Sequence, residues 1–259
     1  MLNAHRKRRK MLKKRLNSRE PLLGTFIKTP SPIICEVMGR TDLDLICLDA
    51  EHAPFDRRDL DLCLLASRSS NIPAIVRIPS LSAEHILNAL DCGAEGVLVP
   101  HVSSADEASK AVAFSTYGLG RGFAGSSRSA GYMKASMAQH IQSSNDRVCI
   151  IAQIEDAAAL DQIDQILSVD TIDAFFIGRA DLTVSLGYDN PNTPEVIEAV
   201  SEICRKGNER GRTIGMFTAN LDEIDAWRGK GASLFLLSSE HSMILDGAKA
   251  LNEKVRSQF

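Results

Sequence analysis

The sequence predicts an α/β fold, a single-domain (β/α)8 TIM barrel, on three observations. Short apolar runs alternate with amphipathic stretches from end to end. The runs are apolar on both faces, as parallel strands buried between two layers should be. Eight such repeats fit within the 259 residues, a usual length for such a barrel. A doubly wound open sheet is the alternative, but it usually has fewer strands and a glycine-rich first turn, which this chain lacks.

The strands follow from those runs in order. GTFIKT gives the first at 24–29, LDLICLDAE the second at 43–51, AIVRIP the third at 74–79 and GVLVP the fourth at 96–100. VCIIAQIE gives the fifth at 148–155, IDAFFIG the sixth at 172–178, TIGMFTA the seventh at 213–219 and LFLLSSE the eighth at 234–240. Helical patterns lie between them at 57–70, 83–91, 104–114, 156–168, 194–209 and 221–229. Residues 117–137, YGLGRGFAGSSRSAGYMKASM, depart from the repeat and are rich in Gly, Ser and Arg. Barrels carry function on the loops after strands, so this stretch reads either as a substrate loop or as a flexible insertion.

Charge is uneven along the chain. Nine of the 30 basic residues but one of the 33 acidic residues fall in 1–20. The remaining 21 basic and 32 acidic residues leave 21–259 at −11, which does not suggest nucleic-acid binding. The chain therefore divides into a basic N-terminal extension, 1–20, and a barrel domain, 21–259, with no Pro/Ser linker between them. The extension has no apolar signal-peptide core. Leu2, Met11, Leu12 and Leu16 leave a partial apolar stripe. That stripe favours a helix packed on the domain, with a frayed basic start, over a transit peptide or a phosphate-binding arm. No run is long and apolar enough to span a bilayer. Cys35, Cys47, Cys63, Cys92, Cys149 and Cys204 form no CxxC pair. Several sit in apolar runs, where a free thiol acts as a small hydrophobe. A reducing cytoplasm fits this usage, and a structural zinc site does not.

The polar residues gather at strand C-termini, where barrel active sites are built. Glu155 closes the fifth strand and Asp181 follows the sixth. Converging at one mouth, the two carboxylates suggest a divalent, oxygen-liganded metal. Each could instead be a solvated acid at a helix start. The second strand ends Asp49-Ala-Glu51-His52. His52 there can act as a general base with an adjacent carboxylate to orient it, or can simply begin a loop. Arg77 lies within an apolar strand, where it needs a partner. It could grip a substrate carboxylate or ketone oxygen, or form an internal ion pair with Asp49 or Glu51. Gln153 shares a strand face with Glu155. A short helix beginning at GRAD would turn the N–H groups of Ala180 and Asp181 toward a substrate carboxylate. Lys28 ends the first strand, but nothing in the sequence around it lowers its pKa for Schiff-base chemistry. No G-x-S-x-G turn supports Ser-His-Asp hydrolysis.

On these motifs the sequence resembles the HpcH/HpaI family, the metal-dependent class II pyruvate aldolases. The matching segments are LDAEHAPFD (48–56), VRIP (76–79), LDCGAEGVLVPHV (90–102), GRGFAGSSRSAGY (120–132), QIED (153–156) and FFIGRADLTVSLG (175–187), in family order. The resemblance implies a (β/α)8 barrel, usually hexameric as a trimer of dimers, with a C-terminal helix exchanged between subunits. It implies Mg²⁺, Mn²⁺ or Co²⁺ held by Glu155 and Asp181, with pyruvate chelating the ion. Arg77 would stabilise the enolate oxygen, and His52, oriented by Asp49, would move the aldol proton. Gln153 and the Ala180 amide would hold the pyruvate portion, and Asp91 would serve a neighbouring subunit's site. Three departures stand out: Arg179 where the family commonly has Pro, His101 where many members have Met, and SSEHSM (238–243) where a Gly-Ser-Asp type sequence is usual. Arg179 reads either as an added substrate-binding cation or as a harmless surface change.

The leading expectation is therefore an aldehyde-lyase. It would reversibly cleave a 4-hydroxy-2-oxo acid to pyruvate and an aldehyde through a metal-stabilised enolate. A second expectation is condensation of oxaloacetate with acetyl-CoA, as in relatives that make citrate for siderophore assembly. A third is a binding or regulatory protein that kept the barrel. Thiol release from acetyl-CoA and loss of metal affinity, respectively, distinguish these two from the first.

Overall fold

The computed structural model describes residues 11–259. Eight parallel strands close into a barrel in sequence order, the last pairing with the first. The chain runs α1 (Leu12–Asn17), β1 (Leu22–Ile27), α2 (Pro32–Met38), β2 (Leu45–Asp49), α3 (Arg57–Ser69), β3 (Ala74–Arg77), α4 (Ala83–Asp91), β4 (Gly96–Val99) and α5 (Ala105–Ser115). It continues through α6 (Met137–Arg147), β5 (Cys149–Ile154), α7 (Ala157–Asp161), α8 (Ile163–Leu167), β6 (Ala174–Ile177) and α9 (Arg179–Ser185). It closes with α10 (Pro194–Glu209), β7 (Ile214–Thr218), α11 (Ile224–Gly229), β8 (Ala232–Ser239) and α12 (Glu240–Arg256).

Strand alternation explains why the apolar runs serve two cores. One set of side chains, among them Ile46, Leu48, Val76, Val97 and Phe175, packs outward beneath the helices. The alternate set, Leu22, Phe26, Leu45, Cys47, Ile75, Leu98, Ile151, Phe176, Leu234 and Leu236, fills the barrel interior. Leu12 and Leu16 of α1 join that interior set. Around them Arg15 pairs with Asp44 at 2.6 Å and Glu20 at 3.0 Å, and Lys13 reaches Asp173 at 3.5 Å. Helix α1 thus closes the N-terminal end of the barrel. The part of the expected basic helix in 1–10 lies outside the described residues.

The differences from the sequence expectation have local causes. The first strand starts and stops two residues early because the buried Glu240 carboxylate takes the N–H groups of Lys28 and Thr29. The helix expected at 156–168 breaks at Gln162 into α7 and α8. The one expected at 221–229 begins as a 3-10 turn, Leu221–Glu223, which Asn220 caps. Helices α2 and α6 lay outside the expected set. Each carries a readable start: Ser31 before Pro32 at the first helical position, and a Ser136/Gln139 capping box.

Candidate active site

The two-residue strand period delivers the site. In β2, Leu45 and Cys47 point into the barrel, so Asp49 does too. In β3, Ile75 points inward and is followed by Arg77; in β5, Cys149 and Ile151 are followed by Gln153 and Glu155. Apolar residues occupy the lower positions of each strand, and ionisable ones the C-terminal end. In the β2–β3 register Asp49 sits directly beside Arg77.

Arg77 and Asp49 form a two-pronged pair at 2.9 Å and 2.8 Å, buried from solvent. The guanidinium also lies 3.3 Å from Glu51 and stacks 4.5 Å above the Phe26 ring. Burial alone would raise the Asp49 carboxyl. The hydrogen bonds and charge of Arg77 outweigh it and hold Asp49 below its ordinary range. Lys28 adds a second cation, 3.3 Å from Asp49. The sequence reading left Arg77 open between an internal pair and a substrate contact; the internal pair is present here.

His52 is placed differently from the expectation. Its backbone N–H, not its ring, donates to Asp49 at 3.2 Å. The ring is half exposed, and its Nε2 lies 3.5 Å from Glu51. Glu155 is almost wholly buried and accepts from the Gln153 amide and from the His101 N–H, the latter at 2.9 Å. Burial pushes the Glu155 carboxyl up against those hydrogen bonds. It pushes Glu51 up as well, aided by the negative charges of Asp49 and Asp181. Gly178 is required opposite Glu155: any Cβ there would collide with the carboxylate.

Asp181 and Ala180 are exposed in the first turn of α9, on the Glu51 side of the mouth. Arg179 begins that helix, but its guanidinium turns to Glu223 at 2.6 Å and toward the Trp227 face at 5.7 Å. Asp91 ends α4 and binds Arg121 of the 117–137 stretch at 3.2 Å, with none of the mouth residues among its partners. It lines a groove of about 540 Å³ with Arg57, Arg58, Asp61, Arg128 and Tyr132. A cavity of about 430 Å³ beside Arg68, Asn71, Glu95 and Arg147 lies near the N-terminal ends of β3 and β4, away from these carboxylates.

Among the described residues, the group best arranged to hold a metal is Glu51, His101 and Glu155, whose donor atoms lie within 4.8 Å of one another. Ligands about 2.1 Å from a shared ion could reach that spread with little movement. Two further observations suit a cation. Gln153 is buried with Oε1 lacking a hydrogen-bond partner, and the Gly178 cradle leaves Glu155 room. The sequence reading placed Glu51 only as a partner for His52 or Arg77, and His101 only as a departure. The missed signal was position: His101 lies just beyond β4, as Glu155 does beyond β5.

The description of the HpcH/HpaI aldolase/citrate lyase family matches residues 22–246. The chain belongs to that family. A hydroxypyruvate/pyruvate aldolase of Paraburkholderia phytofirmans is 30% identical over 95% of this chain and 97% of its own. A solved family structure from Burkholderia cenocepacia superposes with a TM-score of 0.90 at 30% identity, covering 95% of this chain and 98% of that one. The citrate synthase SbnG superposes at 0.85 with 26% identity, covering 96% and 98%. These full-length likenesses carry the family's barrel from α1 to the root of α12.

Proposed function

We propose that this family member is a divalent-metal-dependent carbon–carbon lyase. It reversibly cleaves a 4-hydroxy-2-oxo acid to pyruvate and an aldehyde. The observation that carries the reading is the convergence of Asp49, Glu51, Arg77, Gln153 and Glu155 at the C-terminal mouth. Glu155 and Asp181 would hold the ion, with Mg²⁺, Mn²⁺ or Co²⁺ as candidates. When bound, the ion supplies Lewis acidity at the substrate's carboxylate and 2-oxo oxygens.

The chain's own groups do the rest. In the cleavage direction the C4 hydroxyl loses its proton and the C3–C4 bond breaks. C4 becomes the aldehyde carbon. The electron pair passes to C3 and on to the 2-oxo oxygen, and C3 then takes up a proton to give pyruvate. Arg77 faces the oxygen on which charge develops, held in place by Asp49 and the Phe26 ring. His52, exposed at the rim, moves the hydroxyl proton through water, its backbone fixed by Asp49. Gln153 and the Ala180 amide hold the pyruvate portion. Arg179 stands at the edge of an acidic substrate's reach, and Asp91 faces a neighbouring subunit.

We read the working unit as a cytoplasmic homo-oligomer, a hexamer built as a trimer of dimers with α12 exchanged between subunits. Along α12 only Glu240 is buried, while Met243, Ile244, Leu245, Leu251 and Val255 are exposed. Six buried thiols without disulfides accord with a reducing compartment. No described helix is long and apolar enough to cross a membrane. Condensation of oxaloacetate with acetyl-CoA is the competing reading. It rests on the likeness to SbnG, weaker than the likeness to the aldolases.

The test follows the pyruvate methyl protons by NMR in D₂O with the full chain, with Mg²⁺ or Mn²⁺ and then with chelator. Metal-dependent exchange is the expected result. Absence of exchange, together with thiol release from acetyl-CoA and oxaloacetate, would overturn the aldolase assignment.

A further inference from the structure

His101 has φ +55°, a left-handed conformation that residues with a side chain seldom adopt. It follows β4 directly, and the turn aims both its backbone and its ring at the mouth. The N–H donates to Glu155 at 2.9 Å, and Nδ1 lies 3.1 Å from Asp156. Nε2 lies 3.6 Å from Glu51. The side chain is 56% exposed, so core packing does not explain the strained turn. With the Nδ1 proton given to Asp156, Nε2 presents a lone pair to the Glu51 carboxylate. Two electron-rich atoms facing each other so closely call for a cation between them. A carboxylate behind the far nitrogen is the usual support for a metal-binding imidazole. The buried, unpartnered Oε1 of Gln153 is a further acceptor next to Glu155.

We propose that His101 is a metal ligand. Its Nε2 joins Glu51 and Glu155 around the divalent ion, so this site favours a transition ion such as Co²⁺ over Mg²⁺. Mg²⁺ prefers an all-oxygen shell, whereas imidazole suits the later first-row ions. The assignment rests on the aldolase reading only in placing a divalent ion at this mouth.

The test uses the full chain loaded with Co²⁺. A ligating imidazole gives a strongly shifted, exchangeable N–H proton signal in H₂O that vanishes in D₂O. We expect that signal in the wild type and its loss in His101→Asn, a replacement that tolerates the left-handed backbone. Co²⁺ affinity should fall about 10- to 100-fold in the variant, and Mg²⁺ affinity by less than about threefold. Bound Co²⁺ without the signal, equal losses for both ions, or no Co²⁺ binding at all would overturn the assignment. Pyruvate methyl exchange separates the two ideas. Exchange without the imidazole signal removes His101 and keeps the aldolase; the signal without exchange keeps His101 and removes the aldolase.

Discussion

The two ends of the barrel use charge in opposite ways. At the N-terminal floor, Glu20, Asp44 and Asp173 face Lys13 and Arg15, close to balance. These groups surround α1, whose Leu12 and Leu16 complete the barrel's inner core. At the mouth, Asp49, Glu51, Glu155, Asp156 and Asp181 crowd around two permanent cations, Lys28 and Arg77. The surplus there is negative, and burial pushes two of those carboxyls up rather than down. A balanced set holds a fold together. An unbalanced one costs stability until something positive arrives, which is how a binding site differs from a structural ion-pair cluster.

The sharpest break of this contrast comes from Glu155→Gln. Metal-dependent methyl exchange should fall about a thousandfold, since the change removes a metal ligand and the electrostatic stabilisation that depends on it. The amide is nearly isosteric and fits beneath Gly178. The melting temperature without metal should hold or rise, because a buried charge in a negative surround has gone. A large fall in melting temperature would mean that the mouth carboxylate is structural after all.

Leu16→Ala is the mirror experiment. Leu16 is wholly buried within the inner core. Truncating it should cost about 3 kcal/mol, within the usual range for such changes. In a domain of this size that is roughly a 6–12 °C fall in melting temperature. Exchange per folded molecule at 25 °C should change less than about twofold, as chemistry sits at the opposite end of the barrel. Loss of exchange without loss of stability would couple the two ends and dissolve the distinction.

The barrel was legible because its strands are apolar on both faces, and Asp49, Arg77, Gln153 and Glu155 because they end such strands. The ladder ends were not legible. Lys28 and Thr29 leave the sheet only because Glu240, more than 200 residues away, takes their N–H groups. The direction of a side chain was hidden too. Sequence puts Arg179 beside Ala180, yet Glu223 draws its guanidinium away. His101 sat one residue past a strand whose site role depends on a positive φ, which no motif announces.

Arg179 and Glu223 sharpen the comparison, because they stand on the mouth side yet pair as floor residues do. Arg179 hydrogen-bonds the Glu223 carboxylate, and Trp227 Nε1 adds a donor at 3.2 Å. The hydrogen bond from Arg179, against some opposing burial, lowers the Glu223 carboxyl below its ordinary value. The sign follows from linkage. A carboxyl depressed in the folded state stabilises the fold above its unfolded value, near 4.3 for Glu. That contribution is lost as pH falls through the lower, folded value. Glu223→Gln should therefore lower the melting temperature at pH 6–7 by about 1–3 °C, the effect of a partly exposed pair worth no more than about 1 kcal/mol. The gap between variant and wild type should close as pH falls below about 4. Methyl exchange should stay within about twofold. A pH-independent gap would show that Glu223 acts through packing against Trp227 rather than through charge. A marked change in exchange would place Arg179 among the groups that touch substrate.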